Sequence, residues 1–298
     1  MNGPAGEGPH APAQEGFADW LTFAFATPEG DTCGLAGLEP GTGRGDEPRC
    51  AGHALLLRQG VVAAARAEGP VRVPSRDWAQ ARAAGVRIEV EEPLGSWSVG
   101  FEHSGGAGFE LRFTGLGEPA VLDPEGAFAH AARVQGHDRL CRVSGTVRSG
   151  GGQSTVECLG QRGHRWGARP AGRLALLRGV DLWLDERLAV VVAAARATRA
   201  KPDAEVVAAS VLEGDPPVAA GVEEARLSTT YDGHGQPVRA SVELWPAPDA
   251  DIPRRAAGEA IGSGTLRVDD GHELVSTFFR WWMEGRAGVG HYALLRRT

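Results

Sequence analysis

The segment Gly160-Gln161-Arg162-Gly163-His164-Arg165-Trp166-Gly167-Ala168-Arg169-Pro170 concentrates arginines, a histidine and an indole between glycines that permit close backbone approach. On an extended strand, side chains alternate, so Arg162, His164 and Trp166 share one face while Gly163 and Arg165 share the other. Facing a cavity, Arg162 and His164 can donate hydrogen bonds to a carbonyl or a developing oxyanion, and Trp166 supplies an apolar wall. These three are the candidate catalytic residues. The same composition also suits a structural strand whose indole plugs a core and whose arginines face water, and both readings stay open.

Other chemistries find little support. His53, His103, His130, His137, His234, His272 and His291 are scattered, with no HExxH or His-x-His pairing, so no metal centre is expected. The four cysteines, Cys33, Cys50, Cys141 and Cys158, form no CxxC and no zinc-type spacing; reduced, buried thiols are expected. No Gly-x-Ser-x-Gly nucleophile elbow occurs, and Gly41-Thr42-Gly43-Arg44-Gly45 lacks the Lys-Ser/Thr ending of a phosphate-binding loop. No cofactor is expected.

Apolar side chains are better placed for a binding role. Trp97 and Phe101 share one strand face, and Phe278, Phe279, Trp281 and Trp282 crowd a late strand. Adjacent strand residues point oppositely, so one of Trp281 and Trp282 is expected inside a barrel and the other at a seam between domains. Trp97, Phe101, Trp281 and His291 are the candidate substrate-binding residues; plain core packing is the competing reading for each aromatic.

The elements that position these residues read as strands. Arg87 to Glu91 sets Ile88 and Val90 on one face, Ser96 to Glu102 does the same with Trp97, Val99 and Phe101, and Phe109, Leu111 and Phe113 continue the pattern. Turns at Ser149 to Gln153, Asp185-Glu186, Asp232 to Gly235 and Asp270-Gly271 join further alternating runs. The spacing is that of antiparallel hairpins, without the strand–helix alternation of a parallel sheet. Helices are expected over Ser75 to Gly85, with Ser75 as N-cap, and within Asp123 to Val134, interrupted by Gly126. The run Arg187 to Ala200 reads as a strand because Val190-Val191-Val192 outweighs its alanines. Closing such sheets into barrels removes exposed edges and leaves room for one small ligand.

Composition sets the outer limits. A chain of 298 residues can bury a core without disulfide or metal staples, and two domains are expected. The net charge of −7 speaks against a general nucleic-acid binder, and no apolar run approaches the roughly 18 residues of a membrane span. Residues 1–16 are rich in Gly, Pro, Ala and Glu and read as a disordered tail without the features of a secretory signal. The cytoplasm is therefore the expected compartment.

The 160–170 segment resembles the Gly-x-Arg-Asp-His-Ser-Trp-Gly-x-Arg type motif of the hydroxyneurosporene synthase/AttH-like proteins, which include carotenoid hydratases. Arg162, His164, Trp166, Gly167 and Arg169 fall on family positions, while Gly163 stands where the family has Asp and Arg165 where it has a small polar residue. The resemblance implies an all-β protein of two tandem lipocalin-like antiparallel barrels of the calycin type, at 17–170 and 171–298. It also implies a cofactor-independent cyclase, isomerase or hydratase of secondary metabolism, acting on an apolar polyene, polyketide or isoprenoid. Protonating an isolated alkene requires an acid, so the missing carboxylate at 163 weighs against hydration. The alternative is a non-catalytic carrier of a hydrophobic small molecule.

Overall fold

The computed structural model describes residues 7–10, 16–42, 46–168, 173–201, 203–248 and 250–298. The first sheet contains β1 (Phe17–Ala26), β2 (Thr32–Thr42), β3 (Pro48–Arg58), β4 (Val61–Arg72), β5 (Val86–Glu92), β6 (Ser96–Glu102), β7 (Gly108–Gly115), β8 (Ala120–Val121), β9 (Val134–Ser149) and β10 (Gly152–Ala168). The second contains β11 (Leu174–Asp185), β12 (Leu188–Ala197), β13 (Val206–Gly214), β14 (Pro217–Gly221), β15 (Glu224–Tyr231), β16 (Pro237–Trp245), β17 (Arg254–Asp269), β18 (His272–Met283) and β19 (Arg286–Arg297). Every pairing is antiparallel, as the hairpin spacing implies.

The strand orders are β4-β3-β2-β1-β10-β9-β7-β6-β5, with β8 beside β9, and β14-β13-β12-β11-β19-β18-β17-β16-β15. In each sheet, sequence-local hairpins flank one long-range pair, β1 with β10 and β11 with β19. Each sheet curls into a half-barrel rather than closing through a ladder between its end strands. Two tandem lipocalin-like halves result. The link between them includes residues 169–172, so Arg169 lies outside the described residues.

Alternation along the strands builds three apolar layers. Leu21, Phe23 and Phe25 of β1 join Trp97, Phe101 and Phe113 inside the first half-barrel. Val180 and Leu182 of β11 join Phe279, Trp281 and Tyr292 inside the second. The opposite faces of the same strands meet back to back, where Ala24, Leu35, Leu55, Trp183, Leu274 and Phe278 form a seam between the halves.

One helix expectation needs correction. Residues 75–85 make turns: the Ser75 hydroxyl accepts the Asp77 N–H as a cap does, and the Gln80 and Ala81 N–H groups bond the Asp77 carbonyl, but the chain then reverses through the positive-φ residues Ala84 and Gly85 so that Ala83 pairs with Val86. Trp78 is meanwhile drawn inward and buried. The sole α-helix among the described residues, α1 (Ala127–Ala132), starts after Gly126 and stops at Arg133 in the left-handed region. Residues 188–197 are the strand β12. No helix among the described residues is long and apolar enough to cross a membrane.

Candidate functional site

The two faces of β10 serve different purposes. Arg162 and His164 are fully buried and point into the first half-barrel, and Trp166 lies beside them, partly exposed. That interior is packed. Trp97 and Phe101 belong to its core, and Arg162 stacks over the Trp97 ring at 5.2 Å.

The filling comes partly from residues 7–10, inside the segment expected to be a tail, of which residues 1–6 and 11–15 lie outside the described residues. Glu7 is 4% exposed. Its Oε1 accepts from Trp97 Nε1 at 2.9 Å and from Arg162 Nη2, its Oε2 accepts from the Leu94 N–H at 2.8 Å, and its carbonyl accepts from Trp78 Nε1 at 2.6 Å. His10 stacks on Trp166 with ring centroids 4.1 Å apart. A buried arginine needs a partner to offset desolvation, and Glu7 is that partner.

Asp19, on β1, accepts from His164 Nε2 at 2.7 Å and faces His10 Nδ1 at 3.1 Å. Burial opposes ionisation of Asp19, but the bonds from His10 and His164 outweigh it and hold the carboxyl below its ordinary range. Burial pushes His164 down, against the pull of Asp19. Among the described residues, His10, Asp19 and His164 are the ones whose donor atoms could surround a metal ion, lying within 4.8 Å of one another.

Gly163 and Arg165, on the other face of β10, line a cavity of about 260 Å³ at the seam. Leu35, Leu177, Val192, Leu274 and Leu295 supply apolar wall; Asp138, Asp181, Arg165, His53 and His291 supply polar groups. A wider hollow around Trp282, Ser228, Arg239 and Glu259 is open to solvent. Trp282 is 43% exposed there, so it faces solvent and not the seam, because β17 and β18 turn this end of the sheet outward; Trp281 is buried inside the second half-barrel. Of the four residues expected to bind substrate, His291 lines the cavity and Trp97, Phe101 and Trp281 pack cores.

The cavity's chemical centre is Asp181, a residue the sequence reading did not single out. Its signal was present: a lone carboxylate in the apolar run Val180-Asp181-Leu182-Trp183-Leu184. Asp181 keeps surface toward the cavity, yet protein surrounds it on the scale that sets its solvation. Burial first, and the charge of Asp138 second, push its carboxyl well above the ordinary range, against weaker opposing effects of Gln161 and Arg165. It is therefore a neutral acid where ordinary carboxyls are ionised.

Its orientation is fixed by a relay. Trp183 Nε1, which can only donate, meets Gln161 Oε1 at 3.2 Å. The Gln161 amide is thereby turned so that Nε2 donates to Asp181 Oδ1 at 2.7 Å. The acidic proton then belongs on Oδ2. Asp138 pairs with Arg165. Burial lowers His53 to about 4, and burial with the charge of His53 lowers His291 to about 3, so both imidazoles are neutral wall groups at neutral pH. His291 Nε2 lies 2.8 Å from Ser276 Oγ. The arrangement offers a carboxylic acid, a paired carboxylate and apolar walls, suited to moving a proton on an apolar molecule shielded from water.

Comparison with known proteins agrees with the fold. A protein of Nitrosomonas europaea assigned as AttH superposes with a TM-score of 0.71 at 12% identity, covering 99% of this chain and 96% of that one. CghA in complex with Sch210972 gives a TM-score of 0.65 at 12% identity, covering 94% of this chain and 88% of that one. The fold is thus that of the AttH-like double-lipocalin proteins. No curated protein matches the sequence. Across residues 3–297 the sequence matches the family described as a domain of unknown function, DUF7064, and the chain belongs to that family.

Proposed function

We propose that this protein is a cofactor-independent cyclase or isomerase that acts on an apolar polyene, polyketide or isoprenoid held in the cavity between its half-barrels. The observation that carries the reading is the Asp181 carboxyl, its pKa raised by burial and by Asp138, on the wall of a mostly apolar cavity. Asp181 Oδ2 gives its proton to an alkene carbon or a carbonyl oxygen of the ligand and becomes a carboxylate. The carbocation or oxocarbenium ion so formed closes a ring or shifts a double bond. It then loses a proton from another carbon to the Asp181 carboxylate, which restores the acid, so the substrate changes connectivity without net gain or loss of atoms. Arg165 fixes the second carboxylate, and the apolar walls hold the chain near its reactive shape. Arg162, His164 and Trp166 support this chemistry from the far face of β10 by setting the position of the strand.

A carrier would need the cavity but not the acid. Wild type and Asp181→Asn are incubated in deuterated water with apolar metabolites extracted from the source organism, and products are followed by mass spectrometry. The expected result is solvent deuterium at carbon with wild type and a loss of roughly 100-fold or more in rate with Asp181→Asn. A ligand that binds unchanged, with no deuterium incorporated, supports the carrier and contradicts the enzyme.

A further inference from the structure

The recess on the far face of β10 contains a buried carboxylate held between two imidazoles. Asp19 is 1% exposed, and among the described residues its ion-pair partners are two imidazoles, with no arginine or lysine on it. Arg162, the cation nearby, is engaged by Glu7. Buried charges are paired or coordinate metal ions.

The donors for an ion are already gathered. His10 Nδ1, an Asp19 carboxylate oxygen and His164 Nε2 come from three separate stretches of chain and lie within 4.8 Å of one another. Two imidazole nitrogens and one carboxylate oxygen are the donor types preferred by zinc and its neighbours, whereas calcium and magnesium prefer oxygen alone. The side chain of His10 is 30% exposed, which leaves a route in from solvent. Trp166 stacked on His10 restricts that ring, as a supporting group around a metal would.

We propose that His10, Asp19 and His164 bind one divalent transition-metal ion of the zinc type, which fastens residues 7–10 to the first half-barrel. The ion would sit on the face of β10 opposite the cavity and take no part in the proton transfer. Binding turns the Asp19 carboxylate from bridging two imidazoles to sharing an ion with them, and moves the His164 proton to Nδ1. Arg162 Nη2, 3.4 Å from that nitrogen, must then shift slightly toward Glu7.

The test uses the full chain without an affinity tag, stripped with a chelator and titrated with Co²⁺ while visible absorption is read. Zn²⁺ is then added as competitor. The expected result is one Co²⁺ per chain with the intense bands of a low-coordinate nitrogen and oxygen site, displaced by Zn²⁺. Zn²⁺ should also slow hydrogen exchange at residues 7–10. His10→Ala, which alters a partly exposed side chain and leaves the fold intact, should weaken Zn²⁺ binding by roughly 100-fold or more, beyond the usual effect of losing an outer partner, and abolish the added protection. Asp19→Asn should do the same. Absence of Co²⁺ binding to wild type, equal affinity in wild type and His10→Ala, or exchange at residues 7–10 indifferent to Zn²⁺ would each overturn the assignment.

Discussion

Gly163 on β10 faces Asp138 on β9, and a Cβ added to Gly163 would lie 2.8 Å from Asp138 Oδ1 and 2.9 Å from Thr22 Oγ1. The carboxylate that the motif lacks at position 163 is thus met across the ladder by one from the neighbouring strand, lining the same cavity. The glycine makes room for it. Gly163→Ala should push Asp138 off Arg165 and cost about 1–3 kcal/mol from overpacking. Urea denaturation checks this, and an unchanged midpoint would show that the Asp138 site yields freely.

The raised pKa of Asp181 has a consequence for stability. The folded protein keeps this proton where the unfolded chain, with an ordinary carboxyl near 3.8, has lost it. The native state therefore binds more protons, and this group's contribution to stability falls as pH rises above the unfolded value until the folded carboxyl itself ionises. Within that window the slope is about 1.4 kcal/mol per pH unit for one proton. Asp181→Asn should remove the slope, so its stability relative to wild type should improve as pH rises above the ordinary carboxyl range. Parallel pH dependences in the two proteins would contradict a neutral Asp181.

Glu7 should matter far more than its position near the N-terminus suggests. Glu7→Ala leaves Arg162 buried without its carboxylate and should destabilise by about 3–5 kcal/mol. Arg162→Ala should lose less when Glu7 is already alanine, a coupling that a double-mutant cycle measures. A Glu7→Ala protein as stable as wild type would mean that residues 7–10 do not hold the recess in solution.

The two adjacent tryptophans of β18 should behave oppositely. Trp281→Ala empties a fully buried site and should cost about 3–5 kcal/mol, whereas Trp282→Ala, at a largely exposed position, should stay within about 0.5 kcal/mol. Thermal melts of both variants decide it.

Much of the architecture was legible because period-two alternation and turn chemistry are local. The Arg187 to Ala200 run resolved as β12 because β-branched residues suit a strand buried on both faces. The alternation along β10 likewise separated Arg162, His164 and Trp166 from Gly163 and Arg165. What alternation does not reveal is which side of a strand carries the void, since that depends on how two sheets meet. The polar face of the motif proved to be the packed one, filled by Glu7 from a segment whose composition resembles a tail. Asp181 escaped notice for a related reason. Its raised pKa comes first from burial and then from the charge of Asp138, against the Gln161 bond, all brought together by the seam. The helix expected over 75–85 stops after one turn although Ser75 makes the cap bond, because Ala83 pairs with Val86 across Ala84 and Gly85 in positive φ, a contact that helix propensity does not reveal.

The central claim is that the ligand occupies the seam cavity and not the interior of the first half-barrel. Titration with the fluorescent polyene cis-parinaric acid tests it, using wild type, Ala193→Phe, which fills the cavity wall, and Trp166→Ala, which opens the recess on the other face of β10. The account predicts that Ala193→Phe weakens binding roughly tenfold or more, about 1.4 kcal/mol, while Trp166→Ala leaves it unchanged. Binding indifferent to Ala193→Phe but lost in Trp166→Ala would place the ligand inside the first half-barrel and contradict the account.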